Sequence, residues 1–167
     1  MPTVAGHSEL SHSPTLPRLL TFPLGLLPGR LNSAALATIL NRIFKPELAN
    51  GELDFLDRKV MRISVDDARL VFQLSLRHAR LEPATSGAHA DLSIAGNTYE
   101  FLLLATRRED PDTLFFNRRL RLGGDTELGL YAKNLLDSLE LEDRLGLLLV
   151  MMNRGADVMN RFAPSRS

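Results

Sequence analysis

The side chains best suited to acid–base or metal chemistry are four histidines, His7, His12, His78 and His89. An imidazole serves as proton shuttle or metal ligand only with partners placed at fixed spacing, such as a second ligand one helical turn away. His7 and His12 stand in an opening stretch rich in Ser, Pro and Thr, and His78 and His89 flank a loop, with no such ligand set around them. The chain has no cysteine, which excludes disulfides, thiolate zinc sites, iron–sulfur ligation by this chain and a thiol nucleophile. Ser93 and Ser138 lack the Gly-x-Ser-x-Gly elbow of a hydrolytic nucleophile. Gly123-Gly124-Asp125 places an acid where a phosphate-binding loop would receive its anion, and the acid reads instead as a helix cap. Glu109, Asp110 and Asp112 could do acid–base work or hold a hard cation, but read as a solvated turn. No catalytic set and no cofactor or metal site emerges, so the expectation is a protein that is not an enzyme.

The basic residues offer binding rather than chemistry. Arg107, Arg108, Arg118, Arg119 and Arg121 crowd one segment and suit an anionic membrane headgroup or an acidic partner, alongside the plainer reading of a solvated face. Twenty Lys and Arg balance twenty Asp and Glu, so no overall field draws the chain to nucleic acid. Stacking aromatics are also scarce, with two Tyr and no Trp. The longest uninterrupted apolar run, Leu147 to Met152, is far short of the roughly 20 residues that span a bilayer. The start lacks the basic and apolar regions of a secretory signal. A cytoplasmic protein, peripheral to the inner membrane if membrane-associated, is the expectation.

The elements that would position these groups follow from periodicity. At 167 residues and 44% hydrophobic, the chain can bury one sizeable core. Residues 1–20 read as a tail, and 21–46 as an apolar segment leading into a helix capped at Asn32 or Ser33, with Leu36, Ile39, Leu40, Ile43 and Phe44 on one stripe. Met61, Ile63 and Val65 alternate as a half-buried strand, Asp66-Asp67 turns, and Leu70, Phe72 and Leu74 alternate in a second strand of a hairpin. Glu82 to Gly87 reads as a loop and Ala90 to Ile94 as a third strand. Asn97 and Glu100 form a capping-box-like start to a helix through Ala105. A short helix holds Leu114 to Phe116, Leu120 to Leu122 makes another strand, and Gly123-Gly124 turns the chain. Asp125 or Thr126 caps a helix with Leu128, Tyr131, Ala132, Leu135 and Leu139 on one face. A last helix covers 142–162, with 163–167 as a tail; Leu145, Leu148, Leu149 and Met152 lie on its stripe, consistent with a lid, a membrane contact, a homodimer seam or plain core. With no regular strand–helix alternation, the order reads as α+β.

One stretch carries a resemblance. Asp110-Pro111-Asp112-Thr113-Leu114-Phe115-Phe116 is followed by a strand, then by Gly124-Asp125-Thr126-Glu127-Leu128-Gly129-Leu130-Tyr131 opening an apolar-striped helix. This pattern resembles the sterol-carrier-protein type lipid-binding domain. With Asn50-Gly51-Glu52-Leu53-Asp54-Phe55-Leu56 added, Ala49 to Leu141 is similar to bacterial accessory factors of ubiquinone biosynthesis. Gly123 departs from the pattern, since many carrier domains place an acid there.

The resemblance implies a small, mainly antiparallel sheet covered by helices around an apolar lipid cavity, within a carrier-like domain over 47–141, and no catalytic residues. It implies a non-catalytic accessory factor in the oxygen-independent route to ubiquinone, holding the isoprenoid tail of quinone intermediates and presenting the ring to a pair of iron–sulfur hydroxylases. The ligand would be ubiquinone, a prenylated precursor or phospholipid. Two other roles suit the same residues: a general phospholipid or fatty-acyl carrier, and an interaction module with an apolar groove. Candidate lining residues are Leu102, Leu103, Phe115, Phe116, Leu128, Tyr131, Leu135 and Leu136, joined by Leu148 and Met152. Candidate headgroup or partner contacts are Arg107, Arg108, Arg118 and Arg119.

Overall fold

The computed structural model describes residues 29–139 apart from Ser86, together with Arg144 and Gly146. The expectations for 1–28, for Leu148 and Met152, and for a helix over 142–162 fall outside the described residues, save Arg144 and Gly146, which are helical.

The chain opens with helix α1 (Gly29–Ile43) and the short α2 (Lys45–Asn50), followed by a 3-10 turn at Asp54–Leu56. Strands β1 (Val60–Val65), β2 (Leu70–Arg77) and β3 (Arg80–Pro83) form a meander. After β4 (Leu92–Gly96) come α3 (Thr98–Ala105), α4 (Pro111–Phe116), β5 (Arg121–Gly124) and α5 (Thr126–Ser138). The sheet order is β3-β2-β1-β4-β5, antiparallel at every pairing except β1 with β4, which is parallel. This is the expected α+β architecture.

The β1–β2 hairpin forms where the alternation places it, with Ile63 opposite Phe72 and Met61 opposite Leu74. The parallel pairing of β4 sets Leu92 beside Met61 and Ile94 beside Ile63. One sheet face therefore gathers Met61, Ile63, Phe72, Leu74, Leu76, Leu81, Leu92 and Ile94, since directly paired residues share a face and alternate residues return to it. Leu74, Leu76, Leu81 and Leu92 are fully buried there.

Several local expectations are corrected. Asn32 and Ser33 are not caps: α1 begins at Gly29, and both residues are buried inside it. Ser33 Oγ accepts a hydrogen bond from the Gln73 backbone N at 3.1 Å, and the Asn41 side chain accepts from Leu81 N and donates to Leu81 O, both at 2.8 Å. Ser33, Ala37 and Asn41, spaced one helical turn apart, thus lay α1 along the open edge of the sheet and satisfy backbone groups that would otherwise invite another strand. The stretch expected as a loop from Glu82 begins inside β3, which returns through His78 and Ala79, both at positive φ (50° and 54°). A two-residue turn of this kind matches strand twist, but ordinarily carries Asn or Gly, so the sequence did not announce it.

Asn97 does occupy the N-cap of α3, but its side chain makes no capping bond. Asp67 Oδ1, from the hairpin turn, accepts from Thr98 N at 2.9 Å and from Thr98 Oγ1 at 3.0 Å in its place. Glu100 is buried rather than reaching back to Asn97. Gly123 and Gly124 do not turn the chain; they end β5, opposite Ser93 and Leu92. Gly124 has φ +89°, and a Cβ there would lie 2.2 Å from the Asp91 carbonyl oxygen, so only glycine fits. The turn falls at Asp125, whose Oδ1 accepts from Glu127 N and Leu128 N and caps α5 as expected. Asp110 caps α4 likewise, through Thr113 N.

Candidate functional site: an apolar cavity between sheet and helices

Between the buried face of the sheet and the helices lies a cavity of about 350 Å³. Its floor is Met61, Ile63 and Val65 of β1, Phe72 of β2, Leu81 of β3 and Ile94 of β4. Leu36, Ile39, Leu40 and Ile43 of α1, with Phe44 after it, make one wall, and Ala132, Leu135 and Leu136 of α5 another. Phe101, Leu104 and Ala105 of α3 and Leu53, Phe55 and Leu56 around the 3-10 turn complete the lining. Every described lining residue is apolar. A charge or an unbonded amide entering such a space loses several kcal/mol of hydration with nothing to replace it, roughly 2–7 kcal/mol for a neutral polar group. A hydrocarbon chain gains about 0.8 kcal/mol per buried methylene. The cavity therefore selects an apolar tail and leaves any polar head outside. At about 30 Å³ per water-sized group, it holds on the order of a dozen non-hydrogen atoms.

α1 and α5 meet through apolar packing, and polar contacts behind the lining fix the end of α5 and the junction of α1 with α2. Ile43 and Leu139 pack together with Ile39, Phe44, Leu135 and Leu136 around them. Arg107 Nε donates to the Leu139 carbonyl at 2.9 Å, and Arg107 also bonds the Asp137 carbonyl, closing the end of α5. Arg144 donates to both carboxylate oxygens of the buried Glu47 at 2.7 Å and to the Ile43 carbonyl at 3.0 Å.

Of the residues singled out from sequence, Leu135 and Leu136 border the cavity. Leu128 lies in the main core but outside the lining, and Leu103 packs in a second cluster with Leu104, Leu114 and Leu120. Phe115 packs against both clusters. Tyr131 is half in solvent, its ring 5.6 Å from that of Phe55 and its hydroxyl 3.3 Å from Glu127 Oε1. Leu102 and Phe116 point outward, Phe116 with 89% of its surface exposed. Among the arginines, Arg107 is engaged as described. Arg119 bonds Glu109 Oε2 at 2.5 Å and stands 3.7 Å from Glu100 Oε1. Arg108 and Arg118 are exposed and pair with no acidic side chain among the described residues.

Sequence reasoning did not choose the α1 wall or the sheet floor as lining, although it read the apolar stripe of α1 and the alternation of β1 and β2. Nor did it foresee the Lys133–Asp112 ion pair, in which the Asp112 hydrogen bond raises the Lys133 pKa above the ordinary lysine value. Among the described residues no group of His, Asp and Glu could hold a metal ion, and no helix is long and apolar enough to cross a membrane.

Residues 36–137 match the model of the SCP-2 sterol transfer family. The ubiquinone biosynthesis accessory factor UbiT of Escherichia coli strain K12 is 41% identical over 141 residues, covering 84% of this chain and 80% of UbiT. The UbiT of Escherichia coli O157:H7 matches to the same extent. Among solved structures, the UbiJ-SCP2 ubiquinone synthesis protein superposes with a TM-score of 0.52 at 18% identity, over 64% of this chain and 94% of that one, a likeness of fold. With the sheet, the helices and the apolar cavity arranged as described, the chain belongs to the SCP-2 sterol transfer family and is a homologue of UbiT.

Proposed function

We propose that the protein is a non-catalytic lipid-binding accessory factor of ubiquinone biosynthesis, which holds part of the isoprenoid tail of a quinone intermediate and leaves the ring outside for partner enzymes. The observation that carries this reading is the cavity lining, apolar at all its described residues and matched to hydrocarbon rather than to a ring bearing oxygens. The kinship with UbiT, whose name places that protein in ubiquinone biosynthesis, supplies the pathway. A volume near 350 Å³ encloses only a short stretch of a polyprenyl chain, so the carrier grips the tail and does not swallow it. In this reading the partners are the iron–sulfur hydroxylase pair of the oxygen-independent route, and the protein works at the face of the inner membrane where its ligand resides.

The test is mass spectrometry of organic extracts from the purified protein, beside a Leu135→Arg variant shown to be folded by circular dichroism. Prenylated quinones or their precursors in the wild type, absent from the variant, are the expected result. Phospholipid alone would replace this reading with a general lipid carrier. An empty wild-type protein that still captures the hydroxylases would replace it with an interaction module.

A further inference from the structure

We infer that the surface formed by Phe116 and the turns at either end of α4 docks on an anionic lipid bilayer, with the Phe116 ring entering the interface and Arg108 and Arg118 meeting headgroup phosphates. Phe116 ends α4 and is 89% exposed, the most exposed large apolar side chain among the described residues. The Arg119–Glu109 bond at 2.5 Å holds the two flanking turns together, and Arg108 and Arg118 each stand one residue from a member of that pair. Arg118 adopts φ +57° immediately after the α4 C-cap, and its backbone N donates to the Phe115 carbonyl, fixing the turn beside the exposed ring.

Most charges around this surface are already engaged. Asp110 is occupied by the α4 cap, Asp112 by Lys133 and Glu109 by Arg119. Arg107 is turned to the end of α5 and Arg121 to Asp66. Among the described residues the cations left without an acidic partner are Arg108 and Arg118, so two arginines remain available to phosphate beside an unsheltered aromatic ring, while the capping Asp110 keeps its negative charge.

A protein partner would need a broad apolar centre, with about 800 Å² covered on each side. Here the shallow cleft beside Phe116 is walled by Asp112, Thr113, Asn117 and Lys133 as well as Phe115, which is the composition of a rim. A bilayer asks less: a ring at headgroup depth and free cations within reach of phosphate. The inference rests on the carrier reading only for its purpose, bringing the cavity to the membrane that stores the tail. Vesicle binding and lipid content are separate readouts.

The experiment is sedimentation of the full chain with phosphatidylcholine vesicles and with vesicles containing 1-palmitoyl-2-oleoyl-phosphatidylglycerol. The wild type is expected to favour the anionic vesicles, by a ratio that falls as salt is raised. Phe116→Ser should reduce partitioning about tenfold or more. Arg118→Asn, which suits the positive φ, and Arg108→Gln should each reduce it roughly fivefold on anionic vesicles only. Unchanged melting curves and unchanged extractable lipid would show that fold and cavity are intact. Equal binding by wild type and all three variants, absence of binding by the wild type, or equal binding to neutral and anionic vesicles would each overturn the inference. So would a Phe116→Ser effect confined to self-association in sedimentation velocity.

Discussion

Replacing Ile63 with phenylalanine asks whether the space under the helices is open. Ile63 lies in the middle of β1 between Phe72 and Ile94, and its side chain borders the cavity. Phenylalanine adds about three carbons, worth roughly 2 kcal/mol if they enter empty apolar space at about 0.8 kcal/mol each. The same atoms forced into a filled core would cost about 1–3 kcal/mol. The sign of the change is therefore the measurement. After some loss of rotamer freedom, delipidated Ile63→Phe is expected to gain about 1–2 kcal/mol, raising Tm by roughly 2–8 °C for a chain of this size. The ring also displaces about three tail carbons, so affinity for a long-chain ligand should fall on the order of 50-fold. Thermal melts by circular dichroism give the first quantity, and displacement of a fluorescent fatty acid gives the second. A lower Tm with unchanged affinity would refute the reasoning, because it would mean that packing already fills this position and that ligand goes elsewhere.

Three further substitutions test how the frame around the cavity is held. Asn41→Leu strips both side-chain bonds from Leu81 and reopens the β3 edge; a loss of about 2–4 kcal/mol in urea unfolding is expected, with concentration-dependent association by light scattering. Arg144→Met leaves the Glu47 carboxylate buried without its cation. It should cost about 2–3 kcal/mol, below the range for a fully buried pair because Arg144 keeps 31% of its side chain exposed, and Glu47→Gln in the same chain should restore most of it. Asp67→Ala removes the cap that the hairpin turn supplies to α3 and should lower stability by about 0.5–2 kcal/mol, with the increase in amide hydrogen exchange concentrated at Thr98 to Phe101.

Local chemistry made much of the frame legible. Period-two alternation predicts β1 and β2 as a hairpin, because half-buried strands must alternate, and Asp110 and Asp125 announce their helices because a carboxylate can satisfy the free amides of a first turn. β3 was hidden by its length and by Pro83, which cannot donate to a ladder. The true roles of Ser33, Asn41 and Asp67 depend on segments distant in sequence, and no window along the chain contains both partners. The same limit applied to the site. The stripes of α1 and α5 were both readable, but whether an apolar side chain meets another or borders a void depends on the distance between elements. The candidates were drawn from the segment with the densest motif, so Leu135 and Leu136 were among them while Ile39, Leu40 and Ile63 were not.

The lone parallel pairing in the sheet has a consequence for the order in which the protein assembles. β1, β2 and β3 meet across short turns, whereas β4 reaches β1 only after the whole meander and the loop that follows it. Closing a longer loop carries a larger entropy cost, and contacts distant in sequence form late. The meander is thus expected to be an early cooperative unit, and β4, β5 and α5 a later one that docks on it. Pulse-labelled hydrogen exchange during refolding would show β2 protected before β4 and β5. The cavity lies across the join, its floor running from β1 and β2 onto Ile94 of β4. Partial separation of two folding units would then open a way in for a tail, without a hinge evolved for the purpose.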